Sequence, residues 1–162
     1  MALLQSVVPE VGGWVTFGLV LLVPGVAATA LCAPFLAAKR VRSLFAALPP
    51  EGSPVTTYAL VGVGLSLPYV GGVLWVLASV DSAGGAWGNA LLTLALLLGV
   101  LYTVGCPVVG VLALPRVGVD WDPTGYGWST WVLLGAAGGW YATLFAVPLV
   151  VLGIVLALPG GY

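Results

Sequence analysis

Charged residues divide this chain into four long uncharged stretches. Residues 11–38, 52–80, 82–115 and 123–162 contain no Asp, Glu, Lys or Arg, and the shortest of these stretches is 28 residues long. About 20 residues of α-helix cross the roughly 30 Å hydrocarbon core of a bilayer. The pattern therefore predicts an all-α membrane protein in which four transmembrane helices form a bundle.

The predicted helices fill most of the chain, which we interpret as one integral membrane domain over residues 1–162. The four spans are expected at about 12–38, 56–80, 87–114 and 128–157. No cation precedes the first apolar run, so this run is predicted to be a retained span and not a signal peptide. Each span also carries a proline that is expected to kink it. These prolines are Pro24, Pro68, Pro107 and Pro148.

All four cations fall in two of the loops between the predicted spans. Lys39, Arg40 and Arg42 follow the first span, and Arg116 follows the third. Cytoplasmic loops of membrane proteins carry the excess of Lys and Arg, so both cationic loops are predicted to lie inside the cell and both termini outside. The same four side chains are candidates for binding anionic lipid headgroups, at about 1 kcal/mol per cation.

Composition agrees with a membrane location. Hydrophobic residues make up 61% of the chain and charged residues 6%, whereas roughly a quarter of the residues in a soluble domain are charged. There is one Ile and one Lys against abundant Val, Leu, Ala and Gly. This usage, with the loop VDWDPTGYG, resembles small membrane proteins of halophilic archaea, and the resemblance implies no activity.

Small residues recur along the predicted spans at helical intervals. Such residues let helix backbones approach closely, which is how membrane helices associate without a hydrophobic driving force between them. We therefore expect these positions to be packing contacts, within the chain or with a second membrane protein. The glycines predicted to pack are Gly25, Gly62, Gly99, Gly110, Gly135 and Gly138.

The two halves of the chain show a weak internal repeat. A shift of 74 residues aligns Cys32 with Cys106 and Arg42 with Arg116. Because duplicated two-helix units keep the same orientation, the repeat agrees with the placement of the cations. It favours a tandem duplication of one helical hairpin.

Hydroxyl groups lie near the middle of the second, third and fourth predicted spans. Such groups need hydrogen-bond partners inside hydrocarbon, and two interpretations of their role remain open. They either form hydrogen bonds between helices or line a neutral pocket for a lipid tail, a quinone or an uncharged solute. The candidate pocket residues are Ser66, Tyr69, Tyr102, Thr103, Tyr141 and Thr143.

Missing residue types narrow the chemistry. The chain has no histidine, so a His-ligated haem, an imidazole metal site and a Ser-His or Cys-His catalytic pair are excluded. No carboxylate or lysine lies inside a span, which argues against a proton relay or a charge-coupled carrier. Glu51, Asp120 and Asp122 are expected to form turns and to be solvated. No catalytic residue, metal or cofactor is predicted, and the net charge of −1 gives no indication of a nucleic-acid partner.

Three functions remain open at this point. The first is a structural or accessory subunit that packs with copies of itself or with another membrane protein. The second is a small carrier or channel for a neutral solute or a lipid-like molecule. The third is an enzyme that acts on lipid through the acidic inner loop. We expect the structural or accessory subunit. Its expected partners are the lipid bilayer and either further copies of the chain or another membrane protein.

Overall fold

A computed structural model describes residues 22–50, 53–81 and 85–158, and within these ranges the chain is helical and contains no strand. The prediction of an all-α fold is therefore confirmed. The helices are α1 (Leu22–Ala37, with a final 3₁₀ turn), α2 (Lys39–Ala47), α3 (Pro54–Gly64), α4 (Leu67–Ser79), α5 (Ala86–Pro107) and α6 (Trp128–Ala157). After Pro107, α5 continues through a π-helical segment and a last helical turn as far as Arg116.

Three segments are long and apolar enough to cross a membrane. They are Pro54–Ser79, Ala86–Arg116 and Trp128–Ala157. The first of them consists of α3 and α4. The pair α1 and α2 would make a fourth, but these two helices meet at an angle of 116°. The first ten residues of the predicted span 12–38 lie outside the described residues. Four crossings therefore stay a prediction.

Helix α2 is a short amphipathic helix that turns away from α1. Ala38 between them has extended backbone, with φ −70° and ψ 122°, and it redirects the chain. Val41 and Leu44 are buried, whereas Lys39 and Arg42 are exposed. The helix ends at Ala47 and Leu48 is extended, as a residue preceding a proline prefers to be.

The prolines act differently in each long helix. The segment Pro54–Ser79 breaks at residues 65–66, two residues before Pro68. Helix α5 changes to π-helical geometry after Pro107, because proline has no N–H to bond the carbonyl four residues earlier. Helix α6 passes through Pro148 without interruption.

Helices α5 and α6 form the centre of the fold. They approach closely at Gly88 and Gly153 near one end and at Gly138 nearer the other. Four buried apolar side chains form a cluster at one end of the α5–α6 pair, where α2 and the loop 117–127 cover it. They are Leu44, Val111, Trp121 and Leu134. This cluster therefore joins α2 and the loop 117–127 to the α5–α6 pair.

Candidate functional site

An apolar cavity of about 350 Å³ lies among α1, α2, α3, α5 with its π-helical continuation, and α6. Its size falls within the range of about 300–1,000 Å³ that is usual for small-molecule sites. One wall belongs to α2 and consists of Val41, Leu44, Phe45 and Leu48. Val41, Leu44 and Phe45 follow the i, i+3, i+4 spacing that places side chains on one helix face, and Leu48 comes directly after the end of the helix. The apolar face of α2 thus forms one wall of the cavity.

The hydroxyl groups beside the cavity are already bound to the backbone. Tyr58 donates to the carbonyl oxygen of Thr29 at 2.5 Å, and Tyr141 donates to that of Gly62 at 2.6 Å. Tyr102 donates to the Leu65 carbonyl, which the break between α3 and α4 has released from helical hydrogen bonding. A polar solute would lose its own hydrogen bonds on entering such a lining. The site therefore suits an apolar molecule.

Two free cysteines, Cys32 and Cys106, also line the cavity. The internal repeat pairs these two residues, and the structure brings both to the same site. Among the described residues no group of three or more His, Cys, Asp or Glu side chains could hold a metal ion. The thiols add polarisable surface to an apolar lining.

The candidate pocket residues divide into two groups. Ser66, Tyr69, Tyr102 and Tyr141 are buried, and the three tyrosine rings belong to one aromatic cluster with Phe145. The Tyr69 ring stacks on Phe145 with centroids 4.6 Å apart, and Tyr102 stacks on Tyr141 at 5.8 Å. Tyr102 and Tyr141 line the cavity, whereas Ser66 and Tyr69 lie in the packed region beside it.

Thr103 and Thr143 do not belong to this group, and their assignment to a pocket is corrected. Both are exposed, and each hydroxyl donates to the carbonyl oxygen four residues earlier in its own helix, at 2.8 Å. The physical reason is their position on the outer faces of α5 and α6. A threonine there satisfies its hydroxyl within the helix.

The predicted packing glycines lie in different surroundings. A methyl group added to Gly25 would meet the Ser66 side chain, and one on Gly62 or Gly110 would lie 2.5 Å from Thr29 or Leu134. These glycines, like Gly138, therefore permit close helix contacts within the chain.

The remaining two predicted glycines are less crowded. Gly135 has ordinary contacts, the nearest at 3.4 Å, and Gly99 has no atom of another helix within 4 Å of such a methyl group. Gly99 is thus not a close contact inside this chain, and its contact with a second protein stays a prediction. Gly88 and Gly153 were not among the predicted packing glycines, although they approach each other closely where the start of α5 meets the end of α6.

The predicted headgroup cations are also not equivalent. The guanidinium group of Arg40 donates to Ser129 at 2.5 Å and to Thr130 at 2.9 Å, and lies 3.7 Å from the Asp122 carboxylate. Arg40 is therefore bound within the chain, and its contact with a headgroup stays a prediction. The other three cations, Lys39, Arg42 and Arg116, are exposed.

Asp122 is buried, and the expectation that it is solvated was wrong. Its carboxylate accepts hydrogen bonds from the Thr124 amide at 3.0 Å, the Thr124 hydroxyl at 2.6 Å and the Thr130 hydroxyl at 2.9 Å. Burial alone would raise its pKa, but these hydrogen bonds and the Arg40 guanidinium hold the pKa below its ordinary value. The carboxylate is therefore a charged structural centre.

The rest of the loop 117–127 is fixed to the bundle by polar contacts. The Trp121 indole donates to the Gly110 carbonyl at 2.7 Å, and Ser43 of α2 donates to the Trp121 carbonyl at 2.5 Å. Tyr126 donates to Asp120 at 2.6 Å. Because Gly110 lines the cavity, the loop contacts the same site to which α2 contributes a wall.

Comparison with known proteins gives one match. The model of the family described as Domain of unknown function (DUF8162) matches residues 12–160. No curated protein and no solved structure matches the chain. The match covers every helix described above.

Proposed function

The chain belongs to the DUF8162 family, and we propose that it is a multi-pass integral membrane protein that binds an apolar, lipid-like molecule in its cavity. The carrying observation is a cavity in which every hydroxyl of the lining is engaged with a backbone carbonyl. Such a site can serve a binding protein or a small carrier. It offers no hydrogen-bonding path for a hydrophilic solute.

The outer surface supports the membrane part of this proposal. Large apolar side chains are exposed on every long helix, among them Leu96 and Leu97, which are 69% and 62% exposed. In water such a surface is an aggregation liability, whereas in lipid it is the expected exterior. The hydrogen bond between Arg40 and Ser129 places the two cationic loops at the same end of the bundle. That arrangement supports four crossings with both termini outside.

The cavity itself supports the binding part. Protein interiors are packed as densely as organic crystals. The atoms that line the cavity have no packing partner on its side within the chain, and an apolar molecule would supply one. Entry from the surrounding hydrocarbon requires no desolvation of the ligand. A chain-like or ring-shaped apolar molecule from the bilayer is therefore the proposed occupant.

A cavity-filling variant tests this proposal. Gly105 lines the cavity, and a methyl group there would meet its nearest neighbour only at 3.8 Å, so Gly105→Leu should extend into the empty space. Gly71→Leu is the matched control, because Gly71 has open space around it and lies outside the lining. The probe is N-phenyl-1-naphthylamine, a neutral apolar fluorophore that accepts energy from tryptophan.

Saturable energy transfer is expected for the wild type and for Gly71→Leu in detergent micelles, after subtraction of protein-free micelles. Gly105→Leu should weaken it at least tenfold. Equal affinity in all three proteins would overturn the proposed binding site.

A second candidate function, a structural or accessory subunit, is favoured by Gly99. This glycine lies inside α5 with no atom of another helix near it, and glycine in a helix costs about 1 kcal/mol relative to alanine. A close contact with a second membrane protein or a second copy would explain it. Gly99→Leu should then lower the mass of the purified particle in mild detergent, whereas Gly71→Leu should not. An unchanged mass for Gly99→Leu would contradict this function.

A further inference from the structure

We infer that the occupant of the cavity is an anionic lipid of the bilayer, with one apolar chain inside and its headgroup bound by Arg42 and Arg116. This inference rests on the proposed function and names the class of ligand. It depends on where the exposed cations lie relative to the residues that line the cavity.

The two arginines directly adjoin the lining. Arg42 follows Val41 on α2, and at about 100° per residue its side chain projects from the edge of the apolar stripe. Lys39 projects from nearly the opposite side of the same helix. Arg116 lies two residues after Leu114, which is also in the lining. The lining therefore borders exposed positive charge on both α2 and the continuation of α5.

These two charges are not used by the described part of the protein. Arg40, at the other edge of the α2 stripe, is bound by Ser129, Thr130 and Asp122. Within the described ranges, the side chains of Arg42 and Arg116 form no hydrogen bond or ion pair, and both residues are exposed. Two cations of the same type thus remain available for an external anion.

The carboxylates at this end do not remove that charge. Asp122 is buried and faces Arg40. Asp120 is exposed and accepts a hydrogen bond from Tyr126. Glu51 lies outside the described residues. In the two loops the four cations outnumber the three carboxylates by one, and this net positive charge complements an anionic headgroup.

The cavity and the arginines together specify an amphiphile. The cavity accepts only the apolar part of a ligand, because its hydroxyls already donate to the backbone. The headgroup must remain at the polar end of the bundle, where the cations lie. A neutral apolar molecule would fill the cavity but gain nothing from Arg42 or Arg116. An anionic lipid uses both features.

The experiment compares two lysolipids with the same acyl chain and different headgroups. Protein in a non-ionic detergent is titrated with lysophosphatidylglycerol, which is anionic, or with lysophosphatidylcholine, which is zwitterionic. Native mass spectrometry then gives the fraction of protein that retains each lipid. The wild type should bind the anionic lipid more tightly, by about fivefold for each contributing cation. Higher salt should reduce this preference.

Single substitutions identify the cations responsible. Arg42→Gln and Arg116→Gln should each reduce the preference about fivefold and leave lysophosphatidylcholine binding unchanged. Lys39→Gln, which removes an equal charge from the far side of α2, is the matched control and should have a smaller effect. Gly105→Leu should reduce binding of both lipids.

The outcomes separate this inference from the proposed function. Equal binding of the two lysolipids by the wild type, with both weakened by Gly105→Leu, would overturn the anionic headgroup and leave the cavity as a binding site. An equal effect of Lys39→Gln and Arg42→Gln would also overturn the specific role of Arg42. If Gly105→Leu leaves both lipids bound, the proposed function itself fails.

Discussion

The Asp122 carboxylate lies 3.7 Å from the Arg40 guanidinium and joins the loop 117–127 to α2. Thr130 connects the same two groups, since its hydroxyl donates to Asp122 and accepts from Arg40. Helix α2 forms a wall of the cavity. This contact therefore holds in place the helix that forms this wall.

Replacing Asp122 with alanine should destabilise the protein. The change leaves the Thr124 amide, the Thr124 and Thr130 hydroxyls and the Arg40 charge without their shared acceptor. Hydrogen bonds to a charged group contribute about 1.5–3 kcal/mol, so a loss of about 2–3 kcal/mol in the free energy of unfolding is expected. SDS titration in mixed micelles measures it. Asp120→Ala, which removes an exposed carboxylate, should cost less, and equal losses would contradict this role of Asp122.

The same carboxylate predicts a loss of stability in acid. Its folded pKa is lowered, so its contribution is complete above the unfolded pKa of about 3.9 and disappears as the pH falls through the folded value. Stability from this group should therefore be constant from neutral pH to about pH 5 and decrease below about pH 4. Thermal unfolding of the wild type and Asp122→Asn over this range isolates the effect. Parallel curves for the two proteins would rule it out.

Gly138 should be intolerant of even a methyl group. In Gly138→Ala the new carbon would overlap the Tyr102 carbonyl oxygen and lie 3.0 Å from the Cys106 sulfur. Overpacking of this kind costs about 1–3 kcal/mol, and here it would separate α5 from α6. Gly71→Ala, in open space on α4, should be neutral or stabilising because alanine favours helix. Thermal unfolding in detergent compares the two, and similar midpoints would contradict the predicted close approach.

Two tyrosines in one aromatic cluster should respond oppositely to loss of the hydroxyl. Tyr141→Phe removes the hydrogen bond to the Gly62 carbonyl and should cost about 0.6 kcal/mol or more, the average for such bonds between membrane helices. The Tyr69 hydroxyl is buried without a hydrogen-bond partner among the described residues. Tyr69→Phe should therefore be neutral or stabilising. SDS unfolding of both variants checks this, and a larger loss for Tyr69→Phe would refute the assignment.

The sequence predicted some residues of the site correctly and others wrongly. Tyr102 and Tyr141 were expected near a neutral pocket, and both line the cavity. Thr103 and Thr143 satisfied the same argument from polarity, yet they lie on outer faces. Helical spacing gives the relative directions of side chains on one helix, but it does not say which direction faces a neighbour. The apolar wall on α2 was visible in its i, i+3, i+4 spacing once the turn after Ala38 was known.

The sequence by itself determined that this chain is helical and apolar, because uncharged stretches of 28 residues or more leave few other ways to satisfy the backbone. It also grouped the cations into two loops. Only the tertiary structure decided that Asp122 is buried against Arg40, that Gly99 is open and that a cavity lies behind α2. Whether a residue is buried, which residue it pairs with and where a cavity forms all depend on residues of other helices. A local sequence pattern contains no information about those neighbours.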